Sequence, residues 1–144
     1  MVDVVTDIVI NKPVEIVSAY ASNPDNAPEW YLNIKSVEWQ TGKPLGIGSR
    51  IAFVALFMGR RLAYTYEVVE MSVNKFVMKT AQGPFPMETT YEWEPINANT
   101  TKMTLRNKGN PSGFSKLFAP FISVMMRRAN NKDLQLLKRV LEKN

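Results

Sequence analysis

Tyr64, Tyr66 and Tyr91, with Thr80, Thr89 and Gln82, are the polar side chains of this chain whose spacing could do chemistry. Each falls on the less polar face of a run in which alternate residues are charged, so all six point the same way from extended segments. A hydroxyl or amide buried there without a partner costs about 1 to 3 kcal/mol. These groups therefore either satisfy one another and trapped water or orient a bound molecule. Acid–base options are narrow. The sequence has no His and no Cys, which removes the His-based triad, the thiol nucleophile, the disulfide and the Cys/His zinc site. A base near neutrality has to be a shifted carboxylate, lysine or tyrosine. Five acids gather at Glu67, Glu70, Glu88, Glu92 and Glu94, but alternation sends the last three to solvent. Glu70 points inward only if the register of Tyr64, Tyr66 and Val68 holds to the end of its strand. Gly42, Gly46 and Gly48 lack the spacing and the following helix that a phosphate cradle needs. Neither a cofactor nor a metal is expected.

The 144 residues suit one domain, 1–144, with a single core. A net charge of +5 admits an anionic ligand or surface, yet the basic residues are dispersed apart from the pairs Arg60/Arg61 and Arg127/Arg128. Nucleic acid binding needs clustering and is not expected. No uncharged apolar run is long enough to cross a bilayer, so stable membrane insertion is not expected either. The N-terminus lacks the basic start and apolar stretch of a signal peptide, and the expected compartment is the cytoplasm.

The elements that must position these residues follow from periodicity and punctuation. Residues 2–10 are rich in Val and Ile and stop at Asn11-Lys12-Pro13, which predicts a strand. Pro13 suits the first position of a short helix running to about Ala21, with Glu15 in its first turn. Two prolines, Pro24 and Pro28, then allow only a second brief helical turn ending near Trp30 and Tyr31. Six strands follow, over 34–41, 49–58, 60–71, 75–82, 87–95 and 100–107, separated by Gly, Pro, Asn and Ser clusters. Such short connections impose antiparallel pairing. Ile51, Phe53, Ala55 and Phe57 share the inward face with Val68, Phe76, Met78, Trp93, Met103 and Leu105. Lys79, Glu88, Glu92, Glu94, Lys102 and Arg106 take the wet one.

Segment 110–143 reads as a long amphipathic helix. Its apolar stripe runs through Phe114, Phe118, Phe121, Ile122, Met125, Ala129, Leu136 and Val140. Ser112 is a suitable N-cap, and Pro120 either kinks the helix near Lys116 or marks a start close to itself. Three Phe and the pair Met125/Met126 in the first half suit a wall that meets varied shapes.

This order of elements resembles the START-like, or SRPBCC, superfamily, in its polyketide cyclase/dehydrase branch. The similarity spans almost the whole chain: INKPVEIV at 10–17, Pro28-Glu29-Trp30, Gly46-Ile47-Gly48, YEVVE at 66–70, Trp93-Glu94-Pro95, NTTKM at 99–103, and RRA at 127–129 followed by DLQLLKRVLE at 133–142. It implies an α+β helix-grip fold: a seven-stranded curved antiparallel sheet wrapped around a long C-terminal helix, with two short helices between strands 1 and 2. It also implies a ligand space between sheet and helix. The ligand-binding candidates are then Phe53, Phe57, Tyr64, Tyr66, Phe76, Met78, Gln82, Tyr91 and Trp93 on the sheet, Phe118, Phe121, Met125 and Met126 on the helix, and Trp30 at a mouth.

Three functions fit these features. The first is a small-molecule or lipid binding domain that holds an apolar or amphipathic ligand, its protein partner unknown. The second is a cyclase/dehydratase-like enzyme, against which stands the lack of any recognisable catalytic constellation. The third is an interaction module using the basic helix surface, as chaperone activators of this fold do.

Overall fold

The computed structural model describes residues 2–57, 59–110 and 119–143. Strand β1 (Val2–Ile10) leads into α1 (Val14–Ser22), a single 3-10 turn (Pro24–Asn26) and α2 (Ala27–Trp30). Strands β2 (Ile34–Trp39), β3 (Arg50–Phe57), β4 (Arg60–Met71), β5 (Lys75–Gln82), β6 (Met87–Asn97) and β7 (Thr100–Gly109) precede α3 (Ala119–Glu142). The strands form one curled antiparallel sheet in the order β1-β7-β6-β5-β4-β3-β2. Fold class and strand boundaries match expectation to within two residues. Ser112, Lys116 and the aromatic residues Phe114 and Phe118 lie outside the described residues.

Local chemistry explains the turns. Asn23 accepts the Asp25 amide on its side chain at 3.0 Å and starts the 3-10 turn. Gly59, at φ 75°, reverses the chain between β3 and β4, a conformation that residues with a Cβ rarely adopt.

The core lies on the concave face. Ile51, Val68, Met103 and Leu105 are fully buried, and Leu134 and Leu137 of α3 close over them. Burying such a side chain is worth about 1.5 to 3 kcal/mol. Aromatic rings extend the core in two groups. Phe53, Tyr64 and Tyr66 meet at centroid distances of 5.0 to 6.0 Å. Trp30, Tyr31, Phe76, Tyr91 and Trp93 form a chain of contacts between 4.1 and 6.0 Å.

Two details depart from the sequence-based expectation. The first is a bulge in β4: Val68 pairs with Met78 but Glu70 pairs with Val77, so two residues advance against one. Alternation changes phase there. Glu70 therefore does not point inward; its side chain is 52% exposed and its Oε2 lies 3.9 Å from Lys75 Nζ. The second is the buried line of α3, which runs Ile122, Asn130, Asp133, Leu134, Leu137 and Leu141. This line is turned by about one residue from the predicted stripe, leaving Phe121 52% exposed and Leu136 and Val140 only half-buried.

The helix lies along β1, an edge strand. Arg127 Nη1 and Lys138 Nζ each donate to an edge carbonyl at 2.9 Å, Val5 O and Val9 O respectively, and Glu142 Oε2 accepts the Asn11 amide at 2.7 Å. Covering unpaired edge groups in this way blocks pairing with another chain.

Candidate functional site

Between the concave sheet and α3 lies a cavity of about 150 Å³, a volume comparable to a protein cavity that holds one benzene ring. Phe53, Phe57, Tyr64, Tyr66, Phe76, Met78 and Tyr91 line it from the sheet, and Met126 lines it from α3. Ala21, Pro24, Ala27 and Tyr31 border one end; Phe85, Met87, Gly109 and Val2 border the other.

The remaining expected residues lie elsewhere. Trp30 and Trp93 are almost fully buried but sit behind the lining, packed against Tyr91. Gln82 is exposed, because a register shift between β4 and β5, where Tyr66 pairs with Thr80 but Thr65 pairs with Gln82, turns it to the face opposite Thr80. Thr80, two residues earlier, instead bridges to Met87, accepting its amide at 2.9 Å and donating to its carbonyl at 3.1 Å. Phe121 and Met125 fall off the lining through the rotation of α3. Phe118 lies outside the described residues.

Polar groups enter the apolar wall in three places. Tyr31 Oη and Tyr91 Oη share a hydrogen bond at 2.6 Å. Tyr66 Oη and Thr89 Oγ1 are 2.8 Å apart, and Thr89 Oγ1 donates onward to Asn107 Oδ1 at 2.6 Å. On the helix side stand Asn130 and Asp133, 4% and 3% exposed and one turn apart on the same face. Asp133 Oδ1 accepts the Leu32 amide at 3.0 Å. No Lys or Arg among the described residues forms an ion pair with it. Among the described residues Asn130 Nδ2 is buried without a partner.

The electrostatics follow from burial. Desolvation pushes the Asp133 carboxyl up from 3.8 to about 7, against the opposing pull of the Leu32 amide. Tyr66 is pushed up to about 12 by the same cause, with its bond to Thr89 acting against it. Burial, then the neighbouring hydroxyls and Asp133, raise Tyr31 and Tyr64 well above their usual range. Tyr91 also rises, chiefly by burial. All four tyrosines are thus neutral donors near pH 7. Asp133 is the group in this cavity whose charge changes there.

Asn130 and Asp133 are absent from the sequence-based candidates because those on the helix follow apolar residues alone. A signal was present. Ile122, Met126, Asn130, Asp133, Leu137 and Leu141 recur in steps of four and three, the spacing of one helix face.

A family model described as polyketide cyclase / dehydrase and lipid transport matches residues 1–142. The chain belongs to this family. The fold agrees with that of several solved structures. TTHA0849 from Thermus thermophilus superposes with a TM-score of 0.83 at 21% identity, covering 99% of both chains. A START superfamily protein from Mycobacterium smegmatis gives 0.86 at 15% identity over 98% of this chain and 97% of its own. The Zhui aromatase/cyclase from a Streptomyces species gives 0.77 at 14% identity over 98% and 93%. At these identities the likeness fixes the fold of this family member, and the site has to be argued from its own residues. No curated protein matches the sequence. Among the described residues no helix is long and apolar enough to cross a membrane, and no cluster of acids suits a metal ion.

Proposed function

We propose that this domain binds a small, largely apolar molecule in the cavity between the sheet and α3. The observation that carries this reading is the cavity itself: aromatic and aliphatic walls with a few convergent hydroxyl, amide and carboxyl groups. Such a composition is typical of small-molecule sites. Apolar burial, at about 25 cal/mol per Å², would drive binding, and the polar groups would select orientation.

The test is native mass spectrometry of gently purified protein beside an Ala129→Phe variant. Ala129 lines the cavity from the helix, and a ring in its place would fill the space. A copurifying apolar mass in the parent and its loss in a variant that still melts cooperatively is the expected result. An unchanged bound mass in the filled variant would refute the reading.

One observation favours a second reading, proton-transfer catalysis of the cyclase/dehydratase type. A carboxyl held at about 7 suits a general base or acid at neutral pH. Asp133→Asn keeps an oxygen for the Leu32 amide but cannot take a proton, so dehydration of a linear poly-β-ketone thioester should fall by about a hundredfold. Equal turnover in the variant would remove Asp133 from such a role.

A further inference from the structure

Asn130 and Asp133 form a paired polar step in an otherwise apolar wall. We infer that this step is the docking point for a neutral hydroxyl on the ligand, one oxygen accepting from Asn130 Nδ2 and donating to the Asp133 carboxylate. The inference rests on the binding reading above and adds the chemical class of the ligand: a phenol or alcohol rather than a carboxylic acid or a plain hydrocarbon.

Three features carry it. Asn130 is 4% exposed, lines the cavity and has an amide nitrogen with no partner among the described residues. An orphaned buried donor carries a desolvation cost that a ligand oxygen removes. Asp133, 3% exposed, lines the same space three residues further on and has one oxygen committed to Leu32. The hydroxyls of Tyr31, Tyr66 and Tyr91 are already engaged with Tyr91, Thr89 and Tyr31. At the helix step a new hydrogen bond to Asn130 Nδ2 breaks no existing one among the described residues.

The charge balance selects against acids. Tyr31 from the end of α2, Tyr64 and Tyr66 from β4, and Tyr91 from β6 are neutral near pH 7, since each is raised by burial. Lys108 borders the far end of the cavity, with its ammonium 3.7 Å from Glu88. A ligand carboxylate at the step would face Asp133, which has no ion-pair partner among the described residues, and the two would repel once Asp133 loses its proton.

Three probes that share a ring and differ at one position separate the possibilities: toluene, p-cresol and p-toluate, titrated by NMR between pH 6 and 8. Cresol should bind about tenfold more tightly than toluene, the worth of one buried hydrogen bond. Asn130→Leu, of similar volume, should erase that preference while keeping toluene affinity. Toluate should weaken about tenfold from pH 6 to 8, and Asp133→Asn should flatten that dependence. Should toluene bind with no gain for cresol, or should Asn130→Leu leave the gain intact, the docking point is wrong while the binding reading stands. Failure of all three probes to bind overturns both.

Discussion

Burial holds the Asp133 proton to about pH 7 in the folded chain, while in the unfolded chain it leaves near 3.8. Between those values the folded state carries a proton that the unfolded state does not. Stability from this group is therefore complete below pH 4 and declines as pH rises through 7, by about 4 kcal/mol in all. Three other carboxyls have the opposite sign. Asp3 is lowered by its bonds to Arg106, Asp25 by Trp39 and then Lys43, and Glu142 by the Asn11 amide and then Lys138. Their contributions are present above the ordinary carboxylate range and fade in acid, so the decline between pH 4 and 7 belongs to Asp133. Urea melts of Asp133→Asn over that range should be flatter than those of the parent and give the more stable protein at pH 8. Equal slopes would mean that the carboxyl is ionised in the folded state throughout.

At the scale of elements, the rotation of α3 makes two adjacent residues behave differently. Ile122 is 2% exposed and Phe121 is 52% exposed. Ile122→Ala should cost about 3 kcal/mol, whereas Phe121→Ala should cost less than about 1, as read from denaturant midpoints. Equal losses would restore the stripe expected from apolar periodicity. The strands were legible because their signals are local: alternation along β3 and β6 and turn residues such as Gly59 act within a few positions. The phase of α3 was not, because two of its buried positions are polar and an apolar count passes over them. Glu70 failed for a different reason. The bulge that turns it outward is a property of how β4 pairs with β5, and nothing in its own alternation announces it. For the site, the sheet's lining residues were readable from side-chain spacing except that Gln82 and Trp93 lie off it. Its helix half depends on which face of α3 the fold buries.

At the scale of the whole molecule, the sheet has two edges with different protection. β2 is short and carries Lys35 and Glu38, charges that discourage pairing with another chain. β1 is nine residues long, with Val5 and Val9 45% and 43% exposed, and relies on α3. Removing both donors with Arg127→Met and Lys138→Met leaves the Val5 and Val9 carbonyls uncapped. The double variant should self-associate more than the parent, seen as a larger mass in light scattering at matched concentration. An unchanged mass would mean that the bulk of the helix protects the edge without those bonds.

The same two bonds act as a ruler. Arg127 and Lys138 are eleven residues apart, about 16 Å along a helix, while Val5 and Val9 are four apart, about 13 Å along a strand. Long side chains absorb the difference at one axial setting of α3, and the Asn11 to Glu142 bond pins the C-terminal end of the helix to the same strand. A helix held at three points cannot slide by a turn without losing all of them. The first third of the helix, Ala119–Met126, lies on the N-terminal side of these three points and is held instead by apolar packing of Ile122 and Met126 on Val2 and Val4.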